Sequence, residues 1–199
     1  MQPWQSLITF WFGEETDDVI RAKRQAPPLV GQNSDTDALL ASRFGDLVVA
    51  AAAGELAHWA DSAEGRLALI LLLDQLPRNI HRGTPAAFAQ DAKARDLCLK
   101  GLSGGGSGAA TAGTGLFYLP LEHAESREQQ ARSVALFEGL AAEQADGPAR
   151  ESFAGFADFA RRHQVIVERF GRFPHRNAIL GRQDTAEEAA FLLQPGSGF

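Results

Sequence analysis

The sequence predicts an all-α fold, a compact antiparallel bundle of about seven or eight helices. Three observations carry this expectation. Apolar residues recur at helical spacing, as in Leu39, Leu40, Phe44, Leu47, Val48 and Ala51. Capping signals stand where such runs begin, and Gly or Pro stands where they stop. No stretch shows clear period-two alternation with β-branched residues, the pattern of a half-buried strand.

The elements follow in chain order. Ser6 to Phe12 is a short apolar segment closed by Gly13. Residues 14–33 are polar, hold Pro27-Pro28 and read as a loop. Ser34 is the expected N-cap of the next helix, with Asp35 and Asp37 near its positive end; Gly54 ends it. Asp61 with Glu64 reads as a capping box, with Asp in the Ser/Thr place. The run Leu67 to Leu76 is apolar on all sides, which predicts a central buried helix stopped by Pro77. Thr84-Pro85 opens a helix toward Leu99, ending at Gly101. Ser103 to Gly115 reads SGGGSGAATAGTG, a flexible connector inside one domain, since neither half has an obvious complete core. Pro120 is expected to break the next stretch, with helix resuming near Ala124 and running to Glu143. Gly147-Pro148 marks a turn. A long helix from Ala149 to Phe170 should turn Phe153, Phe156, Phe159, Val165, Ile166 and Phe170 inward. Thr185 to Glu188 is a capping box opening a last helix to Leu193, and the tail Gln194 to Phe199 is expected to fray.

Composition narrows the function classes. The 199 residues carry 45% hydrophobic and 22% charged side chains, ordinary for one soluble domain. Nineteen Lys and Arg against 25 Asp and Glu leave a net charge of −6, which argues against general nucleic-acid binding. Leu67 to Leu73 is the longest strongly apolar run, far short of the roughly 20 residues that cross a bilayer. The N-terminus Met1-Gln2-Pro3-Trp4 shows no basic region or cleavage signal, so a cytoplasmic location is expected. The single cysteine, Cys98, sits between Leu97 and Leu99 and reads as a small buried hydrophobe. Trp4, Trp11, Trp59 and the 13 Phe read as core. Neither a P-loop nor a Gly-x-Ser-x-Gly nucleophile elbow is present.

Two segments echo one another: Leu76-Pro77-Arg78-Asn79-Ile80-His81-Arg82-Gly83, and Phe173-Pro174-His175-Arg176-Asn177 continuing through Ile179 and Gly181 to Arg182. Each places Pro, an Arg-Asn pair, an Ile and a further Arg beside Gly. Arg161 to Arg182 holds six arginines and two histidines against one acid, Glu168, a local positive field in an acidic chain. Arg172 and Arg176 share a side if that stretch is helical, as do Arg78 and Arg82. Guanidinium forks match carboxylate or phosphate oxygens, so an anion-binding cleft is one reading. The other is structural, with the arginines paired to Asp74, Asp91, Glu122 and Glu125. A second constellation is Leu119-Pro120-Leu121-Glu122-His123-Ala124-Glu125, with Gln129 beyond it. Glu122 and Glu125 share a side on a continuing helix while His123 points elsewhere. General acid/base work by Glu122, His123 or Glu125 fits this group, against helix-dipole stabilisation and arginine pairing. The spacing does not match a His-x-x-x-His zinc motif, so no metal is expected; one would need His163 or His175 from distant sequence.

Four segments carry a family resemblance: Thr9 to Gly13, Leu67 to Thr84, Phe117 to Glu125 and Arg169 to Arg182. Together they resemble the domain of unknown function 924 family over nearly the whole chain. The resemblance implies a tetratricopeptide-like all-α fold, a bacterial-type protein and no assigned activity. It also implies that one set of polar residues belongs together: Asp74, Gln75, Arg78, Asn79 and Arg82; Glu122, His123 and Glu125; His163; and Arg172, His175, Arg176, Asn177 and Arg182. Two places depart from the family pattern. Gln25 to Ser34 lacks an aromatic Trp-Phe pair, and the connector is unusually rich in glycine.

The functional expectation is a charged cleft that binds or transforms a small anionic ligand. The arginines and Asp74, Asn79, His163, His175 and Asn177 would hold the ligand, and Glu122, His123 and Glu125 would move protons. The alternative is a helical scaffold for a peptide or protein partner, with the charges purely structural. No motif names a cofactor.

Overall fold

The computed structural model describes residues 2–13, 34–104 and 112–198. The expected loop at 14–33 lies outside them, as does 105–111 of the connector. The described residues form helices α1 (Gln5–Phe12), α2 (Ser34–Ala53), α3 (Ala63–Ile70), α4 (Leu76–Ile80), α5 (Asp91–Ser103), α6 (Ala112–Glu122), α7 (Arg127–Ala142), α8 (Pro148–Phe170) and α9 (Ala186–Leu192). Short 3₁₀ turns stand at Ala57–Asp61, Pro85–Phe88 and Pro174–Arg176. A π-helical turn, Leu71–Gln75, joins α3 to α4 in one rod. Counting that rod once leaves eight helices and no strand among the described residues.

The rod is the axis of the molecule. Ala68, Leu69, Ile70, Leu71, Leu72, Leu73 and Leu76 are all buried. One side packs against Trp4, Trp11, Phe12, Leu40, Phe44 and Trp59. Ile70 joins Phe117, Tyr118, Phe137 and Phe153 on the other. Burying a large aliphatic or aromatic side chain contributes about 1.5–3 kcal/mol, so this column dominates the stability. Gly65 lets the rod approach the preceding turn: a Cβ there would stand 2.2 Å from the Trp59 carbonyl oxygen.

Pro77 does not stop the helix as expected. In the π turn the Leu76 amide donates to the carbonyl of Leu71, five residues back. That widened turn accommodates a proline, which has no amide to donate and whose ring would clash with a normal helical carbonyl. Pro120 likewise lies inside α6, two residues before its end, where it costs one helical hydrogen bond. The cap before α3 is Ser62, whose Oγ accepts from the Gly65 amide; Asp61 closes the preceding 3₁₀ turn instead. Thr84 does not cap, because its Oγ1 donates to the His81 carbonyl, and Pro85–Phe88 is a separate turn before α5. α7 starts at Arg127 behind Ser126, later than the expected Ala124.

α7 and α8 form an antiparallel hairpin, and α8 closes on Gly171 in the left-handed conformation, φ 74°. Phe153, Ala157, Ala160, His163 and Ile166 make its buried face. Phe159 (47% exposed) and Val165 (62%) lie outside that face, contrary to expectation. Leu39 of α2 is also exposed, while Leu40, Phe44, Val48 and Ala51 are buried. Residues 194–198 follow α9 without regular structure, with Ser197 Oγ donating to the Leu192 carbonyl and Gly198 beside the His175 side chain.

The capping box at α9 forms as the sequence predicts. Thr185 Oγ1 accepts from the Glu188 amide, and Glu188 Oε2 accepts from the Thr185 amide. Thr185→Ala is expected to cost about 1 kcal/mol in urea unfolding. Hydrogen bonds from Arg172, then from the Thr185 backbone, outweigh burial and pull the Glu188 carboxyl down from 4.5 to about 2. Its contribution is therefore complete above pH 4.5 and fades as pH falls toward 2. Glu188→Gln should flatten the stability profile over that window.

Candidate functional site

The π turn sets the first residue of the site. It places Asp74 inside the bundle with no solvent exposure, and a buried carboxylate must find partners. His123 Nδ1 lies 2.8 and 3.0 Å from the two Asp74 oxygens. Gln75 Nε2 donates to Oδ2 at 2.6 Å, and Arg78 Nη1 stands 3.3 Å from Oδ1. Burial alone would raise the Asp74 carboxyl, but Arg78, then His123 and Gln75, hold it well below the ordinary range. An ionised Asp74 only accepts, so the His123 proton facing it sits on Nδ1 and Nε2 carries the lone pair. Burial first, then Arg78, lowers the His123 pKa and favours the neutral ring.

The two echoed segments meet at one carboxylate. Arg78 donates to both oxygens of Asp91, at 2.8 and 3.0 Å. Arg176 Nη1, from the second segment, donates to Asp91 Oδ2 at 3.2 Å. Both guanidiniums lie over the Phe88 ring, 5.6 and 4.7 Å from its centroid, and Arg176 also lies 4.5 Å from that of Phe173. Arg176 is buried and its Nε has no hydrogen-bond partner. Burial, then Arg78, lowers its pKa to about 10, which keeps it charged at neutral pH.

Behind His123 lies a more apolar pair. Glu122 ends α6, and its Oε1 stands 3.2 Å from His163 Nδ1, which also donates to the Phe159 carbonyl at 2.9 Å. Glu122 Oε2 is buried without a hydrogen-bond partner. Burial, then Asp74, pushes the Glu122 carboxyl up to about 8. Burial, then His123, lowers His163 to about 3. Gln130 fixes the corner by donating to the carbonyls of Glu122 and Ala124 at 2.5 and 2.8 Å.

An open cavity of about 350 Å³ adjoins these groups. His123, Glu125, Asp91, Arg95 and Arg176 supply its polar wall, and Pro85, Phe88 and Leu180 part of its apolar wall. The size suits a small molecule.

Six of the expected site residues converge at this place: Asp74, Arg78, Glu122, His123, His163 and Arg176. Others pair at its edge or away from it. Glu125 accepts from the Phe173 amide and takes a two-pronged bond from Arg182, at 2.7 and 2.9 Å. Burial raises its carboxyl, but Arg182 and the Phe173 amide outweigh that and lower it. Because the chain leaves the helix after Glu122, Glu125 does not share a side with it. Arg182 also donates to Asn177 Oδ1, and Asn177 donates to Asp184. Arg82 pairs with Asp37 and donates to Asn79 Oδ1; Asn79 donates to the Gln75 carbonyl. Arg172 pairs with Glu188 and does not share a side with Arg176, because α8 ends at Phe170. His175 stands beside Phe173, and burial, then Arg176, lowers its pKa to about 4. Arg161 and Arg169 bind Glu138 and Glu187 on the surface, so the positive field of this stretch is dispersed. Trp11 and Phe12 belong to the core. Cys98 is buried, and burial pushes its thiol up to about 12, which leaves it unreactive.

Phe88 and Arg95 are residues that sequence reasoning did not place in the site, and Asp91 entered it only as an ion-pair partner. The available signal was the echo itself, since two like Arg-Asn corners call for a shared acid. No helix among the described residues is long and apolar enough to cross a membrane.

Comparison with other proteins matches this arrangement to a family rather than to an activity. No functionally curated protein matches the chain. A solved structure of a protein of unknown function from Agrobacterium tumefaciens is 38% identical. It aligns with a TM-score of 0.74, covering 88% of this chain and 95% of its own. The model of the family described as bacterial protein of unknown function (DUF924) matches residues 7–196, a span that includes every residue of the site, and the chain belongs to that family.

Proposed function

We propose that the cavity binds a small anionic molecule and that His123 is the reactive side chain facing it. One observation carries the reading. Arg176, held by Asp91 at 3.2 Å, and His123, backed by the fully buried Asp74, line the same open cavity. A structural network has no need of a solvent-connected hollow between its charges. Arg176 takes the negative charge, the Phe88 and Leu180 walls take the apolar part, and His123 Nε2 offers a lone pair to a proton or another electrophile. The remaining arginines act as tethers: Arg82 to α2, Arg172 to α9, and Arg182 to the corner before α7. That share of the polar set follows the structural reading. A cytoplasmic, bacterial setting is part of the proposal, supported by the family's description and by the lack of a spanning helix among the described residues.

The test is thermal unfolding of the chelator-treated protein with formate, acetate, phosphate or nucleotides. A bound anion at one hundred times its dissociation constant adds about 2.7 kcal/mol, a readily measured shift. Arg176→Ala should abolish the shift, and Arg176→Lys should weaken it because the fork is lost. Wild-type protein that responds to no anion would favour the partner-binding scaffold instead.

A further inference from the structure

We propose that Glu122, His123 and His163 bind one divalent transition-metal ion, zinc by preference, at the wall of the cavity. One ligating atom from each of these residues lies within 4.8 Å of the other two. Ligands about 2.1 Å from a tetrahedral zinc stand about 3.4 Å apart, so closing the site takes roughly 1.4 Å of movement at most. Side-chain rotation supplies that. The spacing along the chain gave no sign of this site, because the third residue comes from α8, forty positions beyond His123.

Two further observations point to a cation. The first is the support behind both imidazoles. His123 turns Nδ1 to the Asp74 carboxylate and His163 turns Nδ1 to the Phe159 carbonyl. These are the two kinds of partner that orient metal-binding histidines, and at His123 they leave Nε2 as the basic nitrogen; His163 Nδ1 also stands 3.2 Å from Glu122 Oε1, so His163 turns its ring or moves its proton to join the ion. The second is an unsatisfied carboxyl. Asp74, Asp91 and Glu125 each have an arginine, whereas Glu122 has only the neutral His163 ring 3.2 Å away. Glu122 is buried, and its Oε2 has no hydrogen-bond partner. A metal ion satisfies that oxygen. Two histidines and one carboxylate form a zinc donor set with the fourth position open.

His123 lines the cavity, so the ion would lie beside it and take up the lone pair that the metal-free ring offers there; an anion in the cavity would then complete the coordination. That last step rests on the proposed function; the metal site itself does not.

The experiment uses full-length protein stripped with a chelator and titrated with zinc chloride by calorimetry, then with cobalt chloride by visible absorption. One ion per chain is expected, with a tetrahedral cobalt spectrum. Glu122→Gln and His163→Gln should each weaken zinc binding at least tenfold while circular dichroism stays native. Asp74→Asn, acting through His123, should weaken it by about 10–100-fold. Absence of stoichiometric zinc binding by the folded wild type overturns the proposal. So does binding left unchanged in both Glu122→Gln and His163→Gln, which would place the ion at surface groups such as exposed His58. Anion shifts of the metal-free protein report on the cavity alone, so zinc binding without any anion response removes the anion reading and leaves the metal site standing.

Discussion

Asp74→Ala should cost about 3–5 kcal/mol, enough to leave the protein partly unfolded under mild conditions. The effect is large because the residue is fully buried and three groups depend on it. Arg78 loses a carboxylate 3.3 Å away, His123 loses the acceptor for Nδ1, and Gln75 loses its own acceptor. Removing one member of a buried charge cluster leaves the others unpaired, and their desolvation is no longer offset. Asp74→Asn keeps the shape and some of the hydrogen bonds, so its loss should be smaller. Urea unfolding of both variants measures the difference. A loss below 1 kcal/mol in Asp74→Ala would mean that water reaches this pocket and that the buried cluster is not what orients His123.

A second large effect is expected at Asp91. It joins both echoed corners through Arg78 and Arg176, and it sits in the first turn of α5, where a negative charge is favoured. Asp91→Ala should cost about 3 kcal/mol, toward the lower end for buried pairs because the carboxylate is 21% exposed. The same exposure makes the loss reversible by chemistry. Asp91 lines the cavity, so removing its carboxylate leaves two guanidiniums beside an opening of molecular size. Formate or acetate should then stabilise Asp91→Ala at lower concentrations than wild type, reaching about 2.7 kcal/mol at one hundred times the variant's own dissociation constant. Chloride at equal ionic strength is the control, since it screens charge but cannot match the fork. Equal responses of variant and wild type would show that the vacated position does not take a ligand.

How much of this could be read in the residues depends on the range of the interaction involved. The buried column was legible because Leu67 to Leu73 is apolar on every side, and only a central helix accepts that. The α9 capping box was legible because its bonds lie within four residues. The π turn was not, because Pro77 at the end of a mostly apolar run reads as a stop; the widened turn that accommodates it leaves no mark of its own in the sequence. The site divides in the same way. Its polar residues stood out by density, but the equal spacing of Arg172 and Arg176 misled, because it holds only on a helix and α8 has ended.

The amino-acid order by itself determined an all-α chain, the course of most helices and the residue types from which a site could be made. Only the tertiary structure decided which charges meet. Asp74 and His123 are 49 residues apart, and Asp91 and Arg176 are 85 apart. Helical periodicity speaks for neighbours three and four positions away. Beyond that, the packing of one rod against another selects each ion pair, and here it gave Arg82, Arg172 and Arg182 to distant elements while leaving Arg176 and His123 at a shared cavity.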